Sequence, residues 1–172
     1  MFILLASVIA SIKYLRSQNP IYDIKAKAYA EVGVVYGILG LLTGGIWAQY
    51  TWGSFWSFDI KQNMSAIAVL IYLAYFVLRS SFDDFDKQAR LGAVYNIFAF
   101  TMLIPLLFII PRLYASLHPG NGGNPGFGGE DLDNTMRTIF YPAIIGFTLL
   151  GFWMGNILTR INNVWQKLID RM

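Results

Sequence analysis

The feature that most constrains the fold of this chain is a series of long apolar segments separated by short charged stretches. Only 13% of the 172 residues are charged, whereas 56% are hydrophobic. Soluble domains carry about 25% charged residues, so this chain has roughly half the usual share. Uncharged apolar runs of this length indicate transmembrane helices. The sequence therefore predicts an all-α fold, a polytopic integral membrane helix bundle.

About five transmembrane helices are expected within a single membrane domain over residues 1–172. The spans fall at roughly 1–15, 28–48, 64–78, 93–113 and 138–158. A helix needs ~20 residues to cross ~30 Å of hydrocarbon, but the first segment reaches only ~22 Å. The simplest interpretation is a helix whose beginning is missing. Residues 160–172 alternate apolar and basic side chains, which predicts an interfacial tail.

The distribution of Lys and Arg predicts the orientation in the membrane. Ten of the 13 basic residues lie in the first connection, the third connection and the C-terminal tail, and three lie in or beside the second and fourth connections. Because basic loops stay in the cytoplasm, we expect the C-terminus there. The second and fourth connections would then share the outer face.

Three pairs of glycines are spaced four residues apart, at Gly33 and Gly37, Gly40 and Gly44, and Gly151 and Gly155. This spacing places glycine along one side of a helix. Ordinary close packing of membrane helices is the commoner cause, and room for a bulky ligand is the alternative.

The second connection, residues 52–59, is unusually aromatic and is called the Trp loop below. It reads Trp-Gly-Ser-Phe-Trp-Ser-Phe-Asp, so four of its eight residues are aromatic. Loops between helices are usually polar. This loop is therefore expected either to lie in the aromatic belt of the membrane interface or to cover a flat apolar ligand.

His118, the single histidine, follows the fourth span. A solvated side chain is the ordinary interpretation of a lone loop histidine. Imidazole also binds zinc and haem iron. A zinc site needs three or four protein ligands, and the chain has no cysteine and no second histidine. One axial ligand suffices for haem, because the porphyrin supplies four nitrogens.

Two separated motifs resemble a known family. Trp52-Gly53-x-x-Trp56-x-Phe58-Asp59 is similar to the W-G-x-x-W-x-W-D signature of the haem-handling proteins of cytochrome c biogenesis, of the CcmC and CcsA type. The Ser-Leu-His-Pro-Gly stretch around His118 resembles the outer-loop histidine region of that family. The similarity covers residues 32–158.

The resemblance implies a haem-binding site on the outer face of the bacterial inner (plasma) membrane. Trp52, Trp56 and Phe58 would contact the porphyrin, and Gly53 would allow close approach of the backbone. Asp59 would orient the loop.

His118 would be an axial ligand of the haem iron. The haem would be b-type, held non-covalently and in transit.

The partners implied by the resemblance are a periplasmic haem chaperone or apocytochrome c, other membrane subunits of cytochrome c maturation, and the lipid bilayer. No nucleic-acid partner is expected. The protein would not itself be an enzyme. A cytochrome c synthase subunit stays open, because the thioether cysteines would lie on the cytochrome.

The sequence departs from the family pattern at two points. Phe58 stands where the third tryptophan is usual, which keeps a ring but loses an indole N–H. The family also has a second outer histidine before the helix with which this chain begins. We therefore expect an N-terminal helix to be missing. If the chain does begin at Met1, the iron would be five-coordinate or ligated by a partner.

Two interpretations from other classes compete with haem handling. One is a small-molecule permease whose Trp loop is only an interfacial belt. The other is a structural membrane subunit. The middle thirds of the predicted spans contain no ionisable residue, which argues against a proton relay or an ion-coupled transporter.

Overall fold

The computed structural model describes residues 1–118 and 132–169, and every regular element in these ranges is helical. The helices are α1 (Phe2–Ser17), α2 (Pro20–Trp52), α3 (Ile60–Ser80), α4 (Phe85–Ile104), α5 (Ile110–Leu113) and α6 (Asn134–Ile169). A π-helical turn, Pro105–Ile109, joins α4 to α5. The predicted all-α membrane bundle is confirmed.

Within the described residues, four stretches are long and apolar enough to cross a membrane, namely Pro20–Trp52, Ile60–Ser80, Phe85–Leu113 and Asn134–Ile169. Helix α1 has 16 residues, which is ~24 Å at 1.5 Å per residue and shorter than the hydrocarbon core.

The helices are longer than the predicted spans, most of all at the starts of α2 and α4, which each lie eight residues before the predicted position, and at the end of α6. Helix α2 begins eight residues before the predicted position 28, because the Asn19 side chain caps the N–H of Ile21 at 3.1 Å and Pro20 suits the first turn. Residues predicted as a separate interfacial tail continue α6 as far as Ile169. The last three residues of that tail lie outside the described residues.

Helix α2 is the centre of the bundle. It packs against α1, α3 and α6, while α4 packs against α1 and α3. Small side chains at the helix contacts allow this close packing, as with Ala30, Ala68 and Ala99 in the largest buried cluster. The bundle therefore holds the ends of α2 and α3, and with them the Trp loop, in a defined position.

The glycine pairs serve different purposes. A Cβ atom at Gly151 would meet the side chain of Ile3 at 2.8 Å, and one at Gly155 would meet a tyrosine ring of α2 at 3.0 Å. These glycines permit close helix packing. A Cβ at Gly40 or Gly44 would meet nothing within 4 Å. These two glycines of α2 face open space, so close helix packing does not account for them.

Two buried polar contacts were not anticipated from the sequence. Arg79 was assigned to a charged connection, but it lies in the last turn of α3 and binds both carboxylate oxygens of Asp23 on α2, at 2.6 and 2.7 Å. Asn96 on α4 donates to the hydroxyls of Ser7 and Ser11 on α1, at 2.7 and 2.9 Å. Buried polar groups need such partners, so these contacts specify which helices are neighbours.

Candidate functional site

The Trp loop begins with a left-handed turn at Gly53. Its φ is +80°, and its N–H donates to the carbonyl of Gln49 at 3.1 Å. The side-chain amide of Gln49 donates in turn to the Gly53 carbonyl at 3.1 Å. Glycine adopts this conformation without the steric cost that a Cβ atom brings. The turn ends α2 at Trp52 and begins the Trp loop.

The rest of the loop is tied to the neighbouring helices. The ring of Phe55 lies where a Cβ atom on Gly45 of α2 would be, so this glycine is required for close approach. The backbone N–H and hydroxyl of Ser57 both donate to the side-chain oxygen of Gln62, at 3.1 and 3.0 Å. The loop is thus anchored on α2 at one side and on α3 at the other.

Asp59 joins the Trp loop to the segment that carries His118. Its carboxylate caps α3 by accepting from the N–H of Lys61 at 2.9 Å. It also accepts from the hydroxyl of Ser116 at 3.1 Å and the N–H of Leu117 at 2.7 Å. The same carboxylate lies 3.0 Å from Nδ1 of His118. One buried side chain therefore connects two loops that are 59 positions apart in the sequence.

The protonation of Asp59 follows from these contacts. Burial by itself raises the pKa of this carboxyl group, since it disfavours the charged form. Hydrogen bonds from the N–H groups of Leu117 and Lys61, and from the side chains of Ser116 and His118, outweigh burial and hold the pKa below its usual range. Asp59 is thus a carboxylate at neutral pH.

An aromatic cluster surrounds the imidazole. The ring of Trp52 meets the His118 ring edge-on, with centroids 4.8 Å apart and planes at 76°. Trp47 lies 6.0 Å from His118 and 5.0 Å from Trp52. Trp47 was assigned to the second span from the sequence and was not predicted to belong to the site. Its position little more than one turn before the Trp loop is the signal that was available.

The contact with Asp59 determines which ring nitrogen can bind a ligand. With Nδ1 occupied by the carboxylate, Nε2 of His118 is the nitrogen that can coordinate a metal. The His118 side chain is 30% exposed, whereas that of Asp59 is 2% exposed. The Asp59 carboxylate therefore orients the imidazole through Nδ1, while part of the ring stays accessible.

A cavity of about 410 Å³ opens beside this cluster. His118 and Trp56 line it, together with the glycine side of α2, including Gly40 and Gly44, and with Met1 and Leu4 at the start of the sequence. The opposite wall comes from α3, from Lys61 to Tyr72. Its volume is in the range of small-molecule sites, and it is lined mainly by apolar groups.

The structure gathers five of the six predicted site residues, namely Trp52, Gly53, Trp56, Asp59 and His118. Phe58 is set apart. Its side chain is 78% exposed and is not among the described residues that line the cavity. Its φ is +56°, which is unusual for a residue with a Cβ atom.

Together, the apolar helices and the histidine–tryptophan cluster define a polytopic α-helical membrane protein with a candidate site at one end of its bundle. The family model described as Heme exporter protein C (CcmC) matches residues 1–171, and the chain belongs to this family.

Relatives that carry the name Heme exporter protein C are similar along most of this chain. The protein of Bradyrhizobium diazoefficiens is 31% identical over 150 residues, which is 87% of this chain and 56% of the relative. That of Paracoccus denitrificans is 29% identical, covering 91% of this chain and 64% of the relative. That of Escherichia coli K12 is 24% identical, covering 77% and 52%. The chain thus spans a little over half the length of these relatives.

Proposed function

We propose that this chain binds haem at the Trp loop and His118 and delivers it during cytochrome c maturation. Membership of the Heme exporter protein C family supports the ligand class. The observation that carries the proposal is the contact between Asp59 and Nδ1 of His118, beside the ring of Trp52. A carboxylate, an imidazole and a flat aromatic surface together suit an iron porphyrin.

His118 would ligate the haem iron through Nε2. A carboxylate on the opposite nitrogen fixes the tautomer and makes the imidazole a stronger ligand. Among the described residues no group of three His, Cys, Asp or Glu side chains could hold a bare metal ion. The four porphyrin nitrogens remove the need for such a group.

The tryptophan rings would supply most of the contact area with the porphyrin. Trp52 and Trp47 flank the imidazole, and Trp56 lines the cavity. Aromatic rings bury large apolar areas and stack on flat ligands. Phe58, exposed at the outer side of the loop, would contact the porphyrin or the protein that receives it.

The haem would be held as a b-type, non-covalent cargo. Partial exposure of His118 suits transfer to a haem chaperone or to apocytochrome c on the outer face. Other membrane subunits of the maturation system and the bilayer would complete the assembly. This role is binding and presentation, without catalysis by the chain itself.

The proposed location is the bacterial plasma membrane, with the Trp loop and His118 outside and the C-terminus in the cytoplasm. The Lys and Arg distribution supports this orientation. Because the chain has no cysteine, single cysteines can report the sidedness directly. Ser54→Cys in the Trp loop should react with a membrane-impermeant maleimide in intact spheroplasts, and Ser81→Cys should react only after lysis. The reverse pattern would refute the orientation.

Haem titration of the purified protein in nanodiscs tests the function. We expect a Soret band for the wild type, haem confirmed by the pyridine haemochrome assay, and weaker binding in His118→Ala and Trp56→Ala. Trp153→Ala is the matched control, because this exposed tryptophan lies on α6, away from the site. A wild-type protein that binds no haem would instead favour an aromatic belt at the membrane interface.

A further inference from the structure

Residues 53–59 of the Trp loop have no regular secondary structure, yet the peptide group after Trp56 is held at both ends. Its carbonyl accepts a hydrogen bond from the hydroxyl of Ser54 at 2.9 Å. Its N–H, which belongs to Ser57, donates to Oε1 of Gln62 at 3.1 Å. Because this peptide plane is fixed, the backbone beside Trp56 is fixed too, and the directions in which the indole ring can point are limited.

The contact with Gln62 differs from ordinary helix capping. Asp59 is the N-cap of α3, and Gln62 is the third residue of that helix. In a capping box, the glutamine at this position returns to the N–H of the N-cap residue itself. Here the Gln62 side chain reaches two residues further back, to Ser57. The helix start is already capped by the Asp59 carboxylate, so the glutamine serves the loop.

The burial of Gln62 makes it difficult to replace. The residue is 7% exposed, and its Oε1 accepts from both the N–H and the hydroxyl of Ser57, at 3.1 and 3.0 Å. A backbone N–H can only donate, so the oxygen of the amide must face Ser57. Without that oxygen, the two donors of Ser57 lose their acceptor unless the loop moves toward water.

A second side chain of α3 holds the next part of the loop. The amide Nδ2 of Asn63 donates to the carbonyl of Phe58 at 2.9 Å. Phe58 has a φ of +56°, a conformation that is costly for a residue with a Cβ atom and persists only where its surroundings impose it. Asn63 follows Gln62 directly, so one turn of α3 determines the loop conformation on both sides of Ser57.

We propose that Gln62, assisted by Asn63, is a positioning residue that holds the Trp loop in its haem-binding conformation before haem arrives. This rests on the proposed function and adds to it how the site is prepared. Gln62 acts through Ser57 and the neighbouring Trp56 rather than by touching the iron. A loop that is already ordered loses little conformational entropy on binding. If only a fraction of the molecules had this conformation, the apparent affinity would fall by that fraction.

Binding kinetics of the purified full chain in nanodiscs test the proposal. Gln62→Leu keeps a side chain of similar length but has no acceptor. We expect it to lower the association rate of haem about tenfold, because fewer molecules have the competent loop, and to leave the dissociation rate within about twofold. Gln62→Glu keeps an acceptor for Ser57 and should restore the association rate.

A smaller change at a more exposed position gives a second variant. Asn63→Ala should lower the association rate about two- to threefold, since water can take the place of this amide. The matched control is Gln88→Leu. Gln88 lies near the start of α4 and donates to the carbonyl of Arg79 at 2.9 Å, at the end of α3 opposite to the Trp loop. Its loss should reduce thermal stability and change neither rate.

Amide hydrogen exchange tests the loop without haem. In the wild type the Ser57 N–H should exchange about tenfold more slowly than in Gln62→Leu, because its acceptor is buried. Gln88→Leu should show the wild-type rate. Mass spectrometry of peptides that cover the Trp loop provides this measurement on the same preparations.

The outcomes separate this proposal from the proposed function. If the wild type binds no haem, the proposed function fails, and exchange at Ser57 alone decides whether Gln62 holds the loop. If haem binds and Gln62→Leu associates as fast as the wild type, the positioning role is refuted and the proposed function stands. A faster dissociation with unchanged association would also refute it, since Gln62 would then contact haem. Equal exchange at Ser57 in the wild type and Gln62→Leu would show that the glutamine does not hold the loop.

Discussion

Replacing Asp59 with asparagine tests the link between the two loops, because it keeps the shape of the side chain and removes its charge. The carboxylate accepts four hydrogen bonds. Three reach Oδ1, from the Lys61 N–H, the Ser116 hydroxyl and His118 Nδ1, and one reaches Oδ2, from the Leu117 N–H. Asparagine has one oxygen and one NH₂ group, so at least one of these donors must face another donor.

The cost of Asp59→Asn in unfolding free energy is that of the better of the two orientations of the asparagine amide. With the amide oxygen at the Oδ1 position, only the Leu117 N–H loses its acceptor, at about 1–3 kcal/mol of unfolding free energy. The bond to His118 persists but loses its charge assistance. Changes to such outer-shell partners reduce metal affinity about 10- to 100-fold. We therefore expect Asp59→Asn to remain folded and to bind haem 10- to 100-fold more weakly.

The assay is a haem titration followed at the Soret band, with thermal unfolding measured on the same preparation. Asp84→Asn is the matched control. Asp84 caps α4 by accepting from the Lys87 N–H at 2.7 Å, and asparagine caps as well as aspartate does. This control should leave both measurements nearly unchanged. Wild-type haem affinity in folded Asp59→Asn would show that the carboxylate does not tune His118.

Three further substitutions test the fold. Gly53→Ala should lower the unfolding free energy by about 1–2 kcal/mol. A Cβ here meets no atom within 4 Å, so the cost is that of placing alanine at a positive φ. Unchanged thermal unfolding would contradict this. Arg79→Met should cost about 3–5 kcal/mol by leaving a buried carboxylate unpaired, and adding Asp23→Leu should recover part of that loss in denaturant titrations. No recovery in the double variant would argue against the ion pair as the cause. Gly155→Leu should cost about 1–3 kcal/mol through overpacking, while Gly146→Leu should cost little; equal melting temperatures would contradict the packing.

The ends of the Trp loop are set by local features of the sequence that the predicted spans did not use. Glycine at a left-handed turn and aspartate at a helix start are decided by backbone geometry within a few residues. In the structure Gly53 ends α2 and Asp59 caps α3, whereas the predicted spans ended at 48 and began at 64. The first connection was placed less well, because Lys25 and Lys27 suggested a loop where the chain is already helical.

The sequence by itself determined that this is a bundle of membrane helices, since apolar composition alone decides whether a segment prefers lipid to water. It also singled out candidate site residues, most of which lie close together in the structure. Only the tertiary structure decided how these residues are arranged, because contacts such as Asp59 to His118 or Arg79 to Asp23 join residues more than 50 positions apart. Helical periodicity determines which face a residue occupies but not which helix it meets. For that reason the sequence did not show that Trp47 lies beside His118 or that Phe58 is exposed. Nor did it show that Gly151 and Gly155 pack against other helices while Gly40 and Gly44 face open space.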